Sequence, residues 1–179
     1  MEIYFVRHTT PAVEKGICYG QADLDVTDTF ESELEVIKRV LPGNISTFTI
    51  FSSPLIRCRK LAEGLAERGK IHFDDRLKEM DFGDWELMAW DAIDKRELDP
   101  WMKDFVNQPS LNGESYQMLY KRVLAFYNEC VNQNLDRVIV VTHSGVIRAI
   151  RAFFENAPLS TTFSYQMDYG IVYGLCTLK

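Results

Sequence analysis

A chain of 179 residues, 46% hydrophobic and 26% charged, has the make-up of one soluble globular domain, large enough to bury a core without disulfide or metal staples. The formal net charge of -6 repels nucleic-acid backbone and anionic lipid, so the expected partner is a small molecule, with no nucleic acid and no membrane. No segment approaches the ~18 apolar residues of a membrane span. MEIYFVRH lacks the basic flank and long apolar core of a secretory leader, and Cys18, Cys58, Cys130 and Cys176 form no CxxC or zinc spacing. A cytoplasmic protein with reduced thiols is the expectation.

Short β-rich runs alternate with longer helical stretches. Glu2 to Val6 is the first predicted strand. Thr27 can cap a helix running to about Leu41, where Pro42-Gly43 stops it. Phe48 to Ser52 reads as the second strand, and Ser53-Pro54 as the start of a helix to Gly69. A weak third strand spans Ile71 to Asp74. The stretch from Gly83 to Asn112 is aromatic and mixed in charge without a clean period, and reads as an excursion over a site. Leu119, Val123 and Phe126 mark a helix from about Ser115 to Asn132. Val138 to Thr142 (VIVVT) is apolar on both faces and β-branched, as in a central strand covered on both sides. A helix from Gly145 to Phe154 follows, and a last strand lies near Ile171 to Leu178. This alternation predicts an α/β fold, a three-layer α/β/α sandwich with a mostly parallel sheet, in a single domain over 1–179.

Ligands of open α/β sheets bind beyond the C-terminal strand ends. Arg7-His8 ends the first strand here. Ser52-Ser53-Pro54 ends the second, with Arg57 and Arg59 just beyond, and Thr142-His143-Ser144-Gly145 ends the fourth. Two histidines and two arginines would meet at one edge. Guanidinium forks bind a phosphate dianion and stay charged. A helix N-terminus adds N–H donors. Neutral imidazole is a nucleophile at pH 7. An alkoxide leaves poorly, so a general acid is needed. Glu79 in LKEMDFGDWE is the candidate, because apolar neighbours and a bound dianion would raise its pKa. Asp81, Asp84 and Glu86 are rivals. Arg59 reads as a surface charge, His72 as an exposed side chain, and Cys18 as an apolar filler. Phe82, Trp85, Trp90 and Trp101 read as core or lid.

Five segments in order, VRHTT, SSPLIRCRKLAE, LKEMDFGDWE, LNGESY and VIVVTHSGVIR, together resemble the histidine phosphatase superfamily, the phosphoglycerate-mutase-like group. The resemblance implies that His8 is a phosphohistidine nucleophile, with Arg7, Arg57 and His143 completing the phosphate pocket. It implies that Glu79 is the proton donor, that Gly20 is a substrate-side glycine, and that the Ser144 N–H faces phosphate. It implies no metal and no organic cofactor. Thr9 and Thr10 replace the usual glycine and glutamate after the histidine. Glu14 stands where many members have asparagine, and a carboxylate there should repel phosphate. Leu87 replaces a frequent glycine. The short length and the absence of a long basic insertion favour hydrolysis of a small phosphorylated metabolite over a mutase reaction. The complete set of core residues argues against a catalytically silent binding module.

Overall fold

The structure is a computed structural model and describes residues 1–66 and 69–176. Five strands, β1 (Glu2–Arg7), β2 (Thr49–Ser52), β3 (Ile71–Phe73), β4 (Arg137–Thr142) and β5 (Val172–Cys176), form one sheet in the order β3-β2-β4-β1-β5. The first four run parallel and β5 is antiparallel to β1. The expected last strand is present, and its final positions 177–178 lie outside the described residues.

Alternation along the strands explains the three layers. Ile3 and Phe5 of β1, with Val138 and Val140 of β4, point into a core built by α4 (Tyr116–Asn132) and α5 (Ser144–Glu155). Val6, Ile139 and Val141 point the other way, against α1 (Phe30–Val40) and α2 (Ile56–Ala66). Each such side chain, fully buried, contributes roughly 1.5–3 kcal/mol. Strands covered on both faces need no polar side, which is why β4 reads as an unbroken apolar run.

Three boundaries differ from expectation. Thr27 is not the cap of α1: its hydroxyl donates to the Thr10 carbonyl, and the helix begins at Phe30, after Thr29. Ser53-Pro54 precedes α2 by a turn, because Ser53 Oγ accepts from Leu55 N and also meets His143. Residues 67–68 of the expected α2 lie outside the described residues. The 83–112 stretch also contains an unanticipated helix, α3 (Lys95–Lys103), capped by Asp94 and carrying Pro100 inside it.

Candidate active site

The parallel register sets Arg7 opposite Thr142, so the next residues, His8 and His143, leave the two central strands at one level. His8 N donates to the Thr142 carbonyl at 3.0 Å. The two rings lie 5.1 Å apart between centroids. Ser52 pairs with Val141, which brings Ser53 Oγ to 2.8 Å from His143 Nε2. Cys58, on the first turn of α2, packs against the same ring.

His8 is 1% exposed and His143 is 0% exposed. His8 Nδ1 lies 2.7 Å from the Thr9 carbonyl oxygen. A carbonyl can only accept, so Nδ1 carries the proton and the Nε2 lone pair is free. Burial, then Arg57 and Arg7, hold His8 well below the usual histidine range. Burial, then Arg57 and His8, do the same for His143. In the unfolded chain each takes a proton near pH 6.5. The folded state therefore binds fewer protons below that pH, and stability present above it is lost as pH falls. Lowering the pH from 7 to 5.5 should cost about 2 kcal/mol for the two together, read as a fall in the urea midpoint. A midpoint unchanged over this interval would contradict two buried neutral imidazoles.

Arg57 is 0% exposed. Its Nη1 donates to the Ala22 carbonyl at 2.8 Å and its Nη2 to that of Gly20. Arg7 donates to the Met167 carbonyl, and its guanidinium lies 4.0 Å over the Tyr169 ring. The Nε atoms of Arg7 and Arg57 are buried without an acceptor among the described residues. Tyr19 and Tyr169, 150 residues apart, join hydroxyls at 2.8 Å beside this pair.

A cavity of about 200 Å³ opens in front of His8. Arg7, His8, Glu79, Ser144 and Gly145 line one part of it, and Ile17, Tyr19, Phe82, Trp90 and Phe163 contribute an apolar wall. Arg57 and His143, both fully buried, do not line it. The aromatic quartet thus divides: Trp85 and Trp101 are core, while Phe82 and Trp90 face the cavity.

Of the four rival carboxylates only Glu79 lines the cavity. Its Oε2 accepts from Ser144 Oγ at 3.1 Å and Gly145 N at 3.0 Å, and its Oε1 from Met80 N at 3.0 Å. Glycine at 145 permits this approach, since a Cβ there would meet Oε1 at 2.2 Å. Asp81 closes a local turn on Gly83 N, and Asp84 is exposed and bound to Asn112. The strap carrying Glu79 is held from α4. Arg122 donates to the carbonyls of Arg76, Lys78 and Glu79 at 2.6–2.9 Å and pairs with Glu114, which accepts from Asp81 N.

Glu86 is the organiser that sequence reasoning treated only as a rival acid. Its two oxygens accept from the backbone N–H groups of Gly20, Gln21, Ala22 and Phe82 at 2.8–3.1 Å. Gly20 therefore stands behind the cavity wall: its N–H is taken by Glu86 and its carbonyl by Arg57. A Cβ at Gly20 would meet the Met80 carbonyl at 1.8 Å, so the glycine is required by packing. Glu86→Ala should cost about 2–4 kcal/mol in a denaturant melt, by stripping four donors of a charged acceptor. It should also lower kcat/KM, because the carbonyls that hold Arg57 move with the loop. An unchanged melt would sink this account of the clamp.

The remaining positions separate cleanly. Arg59 pairs with Glu63 on the surface, and Glu14 is exposed outside the cavity. His72 is half-buried beside Phe51, at 5.2 Å between rings, rather than exposed, because β3 pairs it directly with that residue. Cys18 is fully buried in the core, and burial pushes its thiol up to about 12. Thr9 is buried and its hydroxyl has no partner among the described residues. Leu87 has φ 66, a left-handed conformation that costs a non-glycine residue roughly 1–2 kcal/mol, which accounts for glycine being suited to this position. No helix among the described residues is long and apolar enough to cross a membrane.

This strand-end constellation gathers two buried imidazoles, two guanidinium groups and a carboxylate at one edge of the sheet. The family model described as the histidine phosphatase superfamily (branch 1) matches residues 3–177, and the chain belongs to that superfamily. It is a phosphoric monoester hydrolase. The chain is 26% identical over 197 residues to the adenosylcobalamin/alpha-ribazole phosphatase of Salmonella typhimurium, covering 100% of this chain and 95% of that one. It is 33% identical over 153 residues to a Salmonella paratyphi A protein named "Probable phosphoglycerate mutase GpmB", covering 80% and 69%. The crystal structure of the alpha-ribazole phosphatase from Shigella flexneri superposes with a TM-score of 0.85 at 22% identity, over 97% of this chain and 89% of that one, a likeness of fold.

Proposed function

We propose that the enzyme hydrolyses the phosphate ester of a small metabolite through a phosphohistidine on His8, and that alpha-ribazole 5'-phosphate, a late intermediate of cobalamin nucleotide-loop assembly, is its substrate. The observation that carries the mechanism is the Nδ1 contact to the Thr9 carbonyl, which leaves Nε2 of a neutral imidazole unprotonated beside two guanidinium groups. Arg7 lines the cavity, and its Nε, without an acceptor among the described residues, is a donor for a phosphate oxygen. His8 Nε2 attacks phosphorus, the bond to the ester oxygen breaks, and Glu79 protonates the departing alkoxide. Arg7, Arg57 and His143 hold the charge on the equatorial oxygens. Water then attacks the phosphohistidine, Glu79 takes its proton, and inorganic phosphate leaves with His8 neutral again.

The apolar wall of Ile17, Phe82, Trp90 and Phe163 favours an alcohol half carrying a flat aromatic group, and a relative matched along 95% of its length is named for alpha-ribazole. A panel of phosphate esters including alpha-ribazole 5'-phosphate and 3-phosphoglycerate tests the substrate. Preference for alpha-ribazole 5'-phosphate by kcat/KM is expected. Phosphate released from other esters but not from this one would leave the hydrolase and remove the substrate.

A further inference from the structure

Among the described residues, five buried side-chain polar atoms have no partner, and three of them are guanidinium Nε atoms: Arg7, Arg57 and Arg148. A buried donor without an acceptor costs about 1–3 kcal/mol. Two of these three, Arg7 and Arg148, line one cavity, where an acceptor carried by a ligand would satisfy them. Arg7 and Arg57 flank His8. The third, Arg148, lies one turn along α5 from Ser144 and lines the same cavity. Its Nη2 donates to the Tyr165 carbonyl at 3.1 Å, and its guanidinium rests 5.3 Å over the Phe163 ring. No carboxylate forms an ion pair with it among the described residues. Burial lowers its affinity for a proton, and Glu79 and Tyr116 are the anionic or ionisable groups that oppose this, while Arg7 adds to it. Arg148 thus stands on the cavity wall beside Phe163, a guanidinium beyond the Arg7–His8 pair in the same cavity.

We infer that Arg148 is a specificity-determining residue: it receives an oxygen acceptor carried by the alcohol half of the substrate, beyond the ester oxygen. The substrate class is a phosphate monoester whose alcohol is largely apolar or aromatic and bears a hydroxyl, carbonyl or carboxylate oxygen. The inference rests on the phosphatase reading of the site but not on alpha-ribazole itself. A fork donor facing an acceptor discriminates strongly against analogues that lack it, because the buried donor then stays unpaired.

The test compares three esters in wild type, Arg148→Met and Arg148→Lys. Phenyl phosphate has no second oxygen, alpha-ribazole 5'-phosphate has hydroxyls, and 3-phosphoglycerate has a carboxylate. In wild type, at least one oxygen-bearing ester is expected to exceed phenyl phosphate in kcat/KM. Arg148→Met should reduce that ratio tenfold or more, mainly through KM, and Arg148→Lys should restore part of it. Thermal unfolding of each variant checks that the fold persists. An equal loss on all three esters would make Arg148 a general support, for instance of Glu79, and overturn the inference. So would a wild type that prefers no oxygen-bearing ester. A wild type that hydrolyses none of the three would instead strike the phosphatase reading beneath it.

Discussion

His8→Ala is expected to reduce phosphate release by roughly 10^4-fold or more, since removing the nucleophile leaves only binding and charge stabilisation. The main chain should tolerate the change, because the contacts of residue 8 to the sheet run through its N–H to Thr142 and its carbonyl to Gly170. Wild-type protein quenched during turnover should carry an acid-labile, base-stable phosphoryl group, and His8→Ala should carry none. Full labelling of His8→Ala would move the nucleophile elsewhere. The neighbouring imidazole, His143, has its Nε2 against Ser53 Oγ and its ring against Cys58, so it is poorly placed to substitute.

Arg57→Met separates activity from stability. Its guanidinium is fully buried, bonded to two carbonyls, and short of one acceptor. Removing it spares the fold a desolvated charge but strips the Gly20 carbonyl of its donor and leaves the Ala22 carbonyl with Leu24 N alone. These effects oppose each other, so stability should move by less than about 2 kcal/mol. Catalysis has no such compensation. Losing one charged donor from the phosphate site should cost about 10^2–10^3 in kcat/KM. Inorganic phosphate should raise the melting temperature of wild type and barely that of the variant. A variant that unfolds with its activity per folded molecule intact would reverse the assignment.

The strand-end cluster was legible because it is local. A β-branched run followed at once by Arg-His or His-Ser needs no distant partner to be read, and the parallel register then does the rest. Arg57 was legible for a similar reason, as a charge one turn beyond a strand end. What could not be read depends on pairing across the chain. Glu86 becomes a clamp only when residues 20–22 fold back onto it, 64 to 66 positions away. Arg122 and Glu114 look like ordinary helix-region charges until the 76–81 strap lies across them. The LNGESY segment signalled Glu114, though not its task. Helix α3 was hidden by Pro100 and by a sparse apolar face of Leu98 and Trp101. Arg148 sits inside the VIVVTHSGVIR segment, yet only the cavity distinguishes it from a helix-surface charge.

Because β4 lies between β1 and β2, the middle of the sheet is supplied by residues 137–142, long after its neighbours have been synthesised. In the folded sheet β1 and β2 do not pair with each other, and each takes β4 as its neighbour. The strand-end cluster is not completed by local folding, since His8 meets His143 only when β4 pairs with β1. Such long-range closure is intrinsically slow. The meeting of His8 and His143 thus arrives with the strand that completes the core.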